Sequence, residues 1–277
     1  MLIVGLALLT QRTLKRKWRL HPRGLILSAL WFGSILLGYG SSQAQNFELQ
    51  VYESETVPAG RTMVETHTNM ALRGTTTTIN GVLPTEHALH ETIEITQGFT
   101  PWFEVGFYTF LSIQPGFDWE WVGNHIRPRV RVPESWEWPV GLSLSLEFGY
   151  QQRTFSTDTW TLEIRPIIDK KIERWYLAFN PSLLLSFQGE NAGQGLQFNP
   201  SLKVTYDIIP HIAGGIEYYA SLGPLSGFDP YNQQQQMIVP VVDLDFGPEW
   251  EFNFGVGFGL TESTDHLLVK LILGRRF

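Results

Sequence analysis

His266-Leu267-Leu268-Val269-Lys270-Leu271-Ile272-Leu273-Gly274-Arg275-Arg276-Phe277 ends the chain. At a period of two, Leu267, Val269, Leu271, Leu273 and Phe277 share one face of a strand, and His266, Lys270, Gly274 and Arg276 share the other. Ends of soluble domains are usually frayed and polar. An apolar strand closing on an aromatic residue instead fits the last strand of a bacterial outer-membrane barrel, with one face toward lipid. The competing expectation, an edge strand of a soluble sandwich, weakens as the rest of the sequence is read.

The 277 residues contain no Cys and 13% aromatics, and their mean hydropathy is −0.07. That hydropathy excludes a multi-helix membrane protein. It suits a barrel, whose strands are each only half apolar. The lack of Cys is compatible with passage through an oxidising periplasm. Arg12, Lys15, Arg16, Lys17, Arg19 and Arg23 form a basic region, with no acid before Glu48. An uncharged run, Leu25 to Gly40, and then Ser42-Gln43-Ala44 complete the pattern of a signal peptide over 1–44. The run is short of the ~20 residues of a spanning helix, so cleavage after Ala44 is expected rather than retention as an anchor. Without the six basic residues of the leader, 14 Lys and Arg remain against 27 acids, a formal charge of −13. So acidic a secreted chain, without a basic stripe, argues against nucleic acid as a partner.

Residues 45–60 read as an N-terminal periplasmic segment, with Phe47, Leu49 and Val51 in alternation before Val57-Pro58-Ala59-Gly60 breaks the pattern. From 61 to 277 the alternation repeats. Twelve strands are expected, at 61–72, 89–99, 103–114, 122–132, 140–152, 159–168, 174–187, 195–206, 211–222, 237–246, 249–260 and 266–277. Each is near the ~9–11 residues a tilted spanning strand needs. Short turns, such as Thr100-Pro101-Trp102 and Phe246-Gly247-Pro248, alternate with longer connections rich in Gly, Thr, Asn and Gln. With an even strand count, both termini then fall on the short-turn side, the periplasmic side of a single-chain barrel. Trp102, Trp136, Trp138, Trp160, Trp175 and Trp250 lie near strand ends, as an interfacial girdle requires. Pro128, Pro166, Pro181, Pro200 and Pro240 fall inside strands on the outward phase, where bulges or local breaks are expected. The fold class is all-β: an antiparallel transmembrane barrel of about twelve strands in the outer membrane.

The same phase turns many charged residues toward the lumen. Glu65, Glu94 and Glu104 come from the first three strands, and Arg127, Arg129 and Arg131 from the fourth. Glu147, Glu163, Arg165 and Lys203 follow on strands five to eight, then Glu217, Asp243, Asp245, Glu251 and Lys270 on the remainder. Two arrangements are open. An Arg wall facing an acidic wall would set a transverse field across a polar conduit; locally paired charges would neutralise it, with Glu147 set between two basic strands. No P-loop, dinucleotide fingerprint or nucleophile elbow is present. His87, His90 and Glu91 match no standard metal spacing, so no metal or cofactor is expected.

Glu65-Thr66-His67-Thr68-Asn69, Glu217-Tyr218-Tyr219, Pro240-Val241-Val242-Asp243 and Asn253-Phe254-Gly255-Val256-Gly257-Phe258-Gly259-Leu260-Thr261 resemble a family of bacterial outer-membrane barrels. The family is known as transporters and is grouped with the MetA-pathway phenol-degradation proteins. Lys270 and Gly274 to Phe277 fit it too. The resemblance implies passive passage of small solutes, aromatic or otherwise hydrophobic. The terminal strand also resembles the signal read by the barrel-assembly machinery, with Lys270 and Phe277 as its polar and aromatic positions; Arg275 departs from the hydrophobic residue usual there. Outer-membrane lipid, that machinery and a small-molecule solute are thus the expected partners. Two other functions remain: a structural or adhesive barrel without conductance, and an outer-membrane hydrolase, which would carry Ser and His together on the outer wall.

Two outcomes follow from the ends of the chain. Mass analysis of protein from the outer-membrane fraction should find an N-terminus at or near Gln45; intact 1–44 in an inner-membrane fraction would refute cleavage. Deleting Phe277 should sharply reduce the yield of folded barrel in the outer membrane, and insertion at wild-type levels would show that the terminal strand is not the assembly signal.

Overall fold

The computed structural model describes residues 47–277; the expected signal peptide, 1–44, lies outside them. Twelve strands run in order: β1 (Thr62–Arg73), β2 (Leu89–Thr100), β3 (Phe103–Ile113), β4 (Trp119–Arg131), β5 (Gly141–Gln151), β6 (Asp158–Ile172), β7 (Trp175–Gly189), β8 (Gln197–Ile209), β9 (Ile212–Ser221), β10 (Gln235–Leu244), β11 (Trp250–Gly259) and β12 (Leu267–Arg276). Each pairs antiparallel with its sequence neighbour, and β1 pairs with β12, so the sheet closes on itself. Closure leaves no unpaired edge, the condition for a sheet to cross lipid. No helix among the described residues is long and apolar enough to do so; a single 3-10 turn, Glu134–Trp136, lies between β4 and β5.

The barrel is polar inside and apolar outside. On β5, Ser143, Ser145 and Glu147 are buried while Leu144, Leu146 and Phe148 are exposed. On β11, Trp250, Phe254 and Phe258 are exposed, and Asn253 is buried. All eight tryptophans of the described residues are exposed: Trp102, Trp119, Trp121, Trp136, Trp138, Trp160, Trp175 and Trp250. Amphipathic indoles at strand ends are what a membrane interface selects. Arg275, the departure in the terminal strand, faces outward with them. Its guanidinium lies 5.0 Å from the ring centres of both Trp250 and Phe277, a cation–π contact that covers the charge with aromatic faces.

Two hairpins are tighter than the sequence suggested. Asp169 to Glu173 and Asp207 to Pro210, which follow the strands expected to end at 168 and 206, read as short turns. In the structure β6 continues to Ile172 and β8 to Ile209, leaving two-residue turns with Glu173 and His211 at φ 53° and 69°. The charges are tolerated because they pair beside the turn, Lys171 Nζ lying 2.9 Å from Asp207. The internal prolines also behave differently from one expectation. The ladder lapses at Pro128 and Pro166, yet the register is the same on both sides of each lapse, and Pro181 sits opposite Pro200 without a shift. Facing lipid on the outward phase, they cause local breaks and no bulge. The register shifts fall elsewhere, near Ala71, Gly98, Phe110, Asp158 and Asp207.

The segment expected to lie on the periplasmic side, 45–60, is in its described part a lumen filler. Phe47, Leu49, Val51, Tyr52, Ser54, Thr56 and Val57 are buried among inward-facing side chains of the barrel. The alternation of Phe47, Leu49 and Val51 is therefore a packing pattern without a ladder. Phe47 joins Tyr108, Phe110, Val122 and Phe155. Leu49 packs on Met237, Val239, Val241 and Leu268, an apolar patch on the inner wall. Gly98 lets the segment in: a Cβ there would stand 2.3 Å from the carbonyl oxygens of Val57 and Pro58.

Candidate functional site: a filled lumen

The segment 47–57 touches the wall through side chains. Among the described residues no backbone–backbone hydrogen bond joins it to a strand. Instead the wall satisfies its backbone one group at a time. Asn69 and Thr92 donate to the Phe47 carbonyl, and Lys270 Nζ donates to that of Leu49 at 2.7 Å. Asn180 accepts from the Tyr52 N–H at 2.7 Å and donates to its carbonyl at 3.0 Å. Arg129 donates to the carbonyls of Glu53 and Glu55, Asp169 accepts from the Ser54 N–H and hydroxyl, and Glu104 accepts from the Val57 N–H. Buried backbone polar groups without such partners would be costly.

Tyr52 is the centre of the arrangement. The guanidinium carbons of Arg165, Arg127 and Arg129 lie 4.4, 4.9 and 5.8 Å from its ring centre. Its hydroxyl donates to Glu48 on its own segment and is 3.1 Å from the Tyr108 hydroxyl. A phenol ring is thus caged by three cations with a carboxylate beside its oxygen.

The charges expected to face the lumen pair with near neighbours. Arg127 bonds Glu94 and lies 3.4 Å from Glu104, while Arg129 bonds Glu104 at 2.7 Å. Arg165 contacts Glu163, Glu48 at 3.4 Å and Glu147 at 3.9 Å. Glu147 is held more closely by His125, at 2.6 Å. On the far wall Lys270 contacts Glu217 and Lys203 contacts Asp243, with Asn253 donating to both acids. The facing Arg and acid walls are therefore not what the fold builds: each cation meets acids on its own strand, on a strand one to three places away, or on the filling segment. Glu251 accepts from Gln50 of that segment, and Glu65 is buried opposite Glu94 in the β1–β2 register.

Two residues of the expected set lie at the rim. Arg131 is at the end of β4, paired with Glu134 of the exposed 3-10 turn at 2.8 Å. Asp245 lies past the end of β10, in the exposed turn, bonded to the Gly247 N–H and His211. Those two contacts, the Gly247 amide first, hold its carboxyl below the usual carboxylate range. Both residues keep the inward phase at the short-turn rim: Arg131 is the last residue of β4, opposite Ser143, and Asp245 follows the end of β10. His87, His90 and Glu91 do not converge. His87 is in a loop at φ 59°, Glu91 pairs with Thr68, and His90 is buried against Ser112 at 3.1 Å under the ring of Phe47.

Residues that the sequence did not single out for the lumen include Tyr52, Tyr108, His125, Asp169, Asn180 and His67. The strand residues among them all sit on inward phases already assigned, so alternation could have found them; Tyr52 had no strand to give it a phase.

On either side of the filled middle the lumen is open. A cavity of about 750 Å³ at the short-turn end is lined by Gln50 to Glu53, Glu55 to Val57, Glu65, Arg129 and Glu251 among others. A second, of about 270 Å³, lies toward the long loops and is lined by Phe47, Glu48 and Leu49 with Asp158 and Asp265.

A closed twelve-stranded sheet with a lipid-facing exterior and a charged, solvent-connected interior defines an integral barrel of the bacterial outer membrane. Its fold is similar to an outer-membrane channel from Pseudomonas putida F1, at TM-score 0.57 and 11% identity over 83% of this chain and 100% of that one. It is also similar to the KdgM porin, at TM-score 0.50 and 9% identity over 78% and 99% of the two chains. No protein-family model matches the sequence, and a search of curated proteins finds no match. At these identities the likeness is one of fold.

Local pairing predicts that substitution acts on stability before selectivity. Arg129→Ala frees Glu104 of its closest cation and unties two carbonyls of the segment, and should cost about 3 kcal/mol, the scale for breaking a buried pair. Arg131→Ala should cost less than ~1 kcal/mol, the scale of a surface pair. Heat-induced unfolding in detergent, followed by gel migration, checks both; equal effects would contradict the assignment.

Proposed function

We propose that the protein is a passive conduit for small solutes across the outer membrane, closed at rest by its own residues 47–57. The observation that carries this reading is the pair of open cavities separated by a segment attached only through side chains. A side-chain-bound segment leaves without breaking any ladder hydrogen bond.

The cage around Tyr52 and the apolar patch around Leu49 support small aromatic solutes, and aromatic acids above all. Three guanidinium faces stack on a ring, and the same groups pair with carboxylates bidentately. This agrees with the resemblance to barrels grouped with phenol degradation. The barrel-assembly machinery is the partner that would insert the chain, through Lys270 and Phe277. A hydrolase is disfavoured: the one buried Ser–His contact described, Ser112 with His90, faces inward, and the other ring nitrogen of His90 has no hydrogen-bond partner. A triad needs that nitrogen oriented by an acid.

The test compares the full mature chain with a variant lacking 47–57 in planar bilayers and in liposomes. The variant should conduct at least severalfold more than the wild type, and liposomes bearing it should admit benzoate faster than an uncharged sugar of similar size. Zero current from both, with gel migration showing a folded barrel, would favour the structural barrel.

A further inference from the structure

We infer that Glu65, His67 and Glu94 form a binding site for one divalent transition-metal ion of the zinc type. The inference rests on the inner wall alone and does not require that the barrel conduct. Glu65 and Glu94 are directly opposite each other in the β1–β2 register, and His67 is the next inward residue on β1, opposite Thr92. One donor atom from each of the three lies within 4.8 Å of the others.

The atoms that converge are the ones left without partners. Glu65 Oε1, Glu94 Oε2 and both ring nitrogens of His67 are buried and make no hydrogen bond. His67 and Glu94 are 0% exposed, and their closest approach, Nε2 to Oε2, is 3.6 Å. An unsatisfied buried polar group costs about 1–3 kcal/mol. Three donors at one point, one from each residue, call for an occupant. The remaining carboxylate oxygen of Glu94 is already engaged, accepting from Thr96 and Arg127. Such outer contacts fix a ligand carboxylate and leave its free oxygen aimed at the metal.

Charge points the same way. Like charges directly opposite in a ladder repel. The nearest cations, Arg127 and Arg129, are matched by Glu94 and Glu104. Glu65 has no cation within ion-pair distance among the described residues, and its other neighbour is a further acid. Glu251 reaches it across β12 over Gly274, where a Cβ would stand 2.8 Å from Glu65 and 3.2 Å from Glu251. Glu65 and Glu251 are thus two carboxylates in excess of the local cations, the charge that one divalent ion neutralises. An imidazole with carboxylates selects zinc and its first-row neighbours over calcium or magnesium, which take oxygen. Metal–ligand distances of about 2.0–2.2 Å would draw the three donors together by roughly 1 Å, with Glu251 or water available for the fourth position.

Calorimetric titration of the full mature chain, stripped with EDTA and held in detergent, tests the site with ZnCl2. Saturation at one equivalent is expected, with Mg2+ and Ca2+ binding at least tenfold more weakly. His67→Gln and Glu65→Gln should each weaken Zn2+ at least tenfold, while His87→Gln and His211→Gln, on exposed loops, leave it unchanged. Co2+ should give visible absorption bands in the wild type that His67→Gln abolishes. Gel migration verifies folding; should one of the two ligand variants fail to fold, the other decides. Absence of saturable Zn2+ binding by the wild type, or affinity unchanged by substitution of the ligands, would overturn the site. Because binding rather than current is read, this result is separable from the conduction test.

Discussion

Closure of the sheet in lipid is the constraint on which the rest depends. Once β1 pairs with β12, the outer surface must be apolar and every charge on the strands has to go inside or past the ends. Twelve strands enclose an interior wide enough to leave water yet narrow enough that charges on adjacent strands meet. The interior therefore behaves as a crowded polar core. Arg127, Arg129, Arg165 and Lys203 each find an acid on their own strand, the next, or the one beyond, and Lys270 on β12 reaches Glu217 on β9. Such pairs offset their desolvation only when geometry and further hydrogen bonds are good. The extra bonds come from Thr96, Asn253, Tyr219 and the carbonyls of the segment 47–57.

Energetics of that segment explain how a filler can also be removable. Burying side chains such as Phe47, Leu49, Val51 and Val57 contributes about 1.5–3 kcal/mol each. Ordering each residue of the segment costs about 1–2 kcal/mol, so the two effects are of similar size. The side-chain bonds to its backbone, worth about 1 kcal/mol apiece, then decide the balance. Residues such as Asn180 and Arg129, which each make two of them, set how firmly the lumen is closed.

Alternation made the wall legible and the interior only in part. All twelve strands, their sidedness and the sorting of short and long connections follow from period-two patterning, because one face of every strand meets lipid. Leu142 to Phe148 on β5 and Trp250 to Phe258 on β11 allow no other phase. What alternation does not encode is which inward residues touch. Arg131 and Asp245 share the phase of the lumen residues, yet they sit at the rim, the first as the last residue of β4 and the second just past β10. The route of 47–57 was hidden because a segment that bonds through side chains carries no ladder signature. The apolar patch of Met237, Val239 and Val241 on the inner face of β10 was the one trace: an inward apolar run in a polar lumen requires something apolar to cover it, and Leu49 does.

On the proposed reading, the segment also indicates what the wall is suited to hold. Its ring at Tyr52, its carboxylate at Glu48 and its apolar side chain at Leu49 occupy, in that order, the guanidinium cage, the contact with Arg165 and the patch on β10. Withdrawal would remove Glu48, Glu53 and Glu55 from the lumen and strip Arg129 and Lys270 of carbonyl acceptors. The interior would then gain positive character at the point where it loses an aromatic ring. An aromatic acid replaces both losses at once, whereas an uncharged sugar replaces neither and a simple anion only one. On the proposed reading, the closed state is the chain binding a tethered surrogate of its solute, and a solute opens the path in proportion to how well it competes for those three contacts.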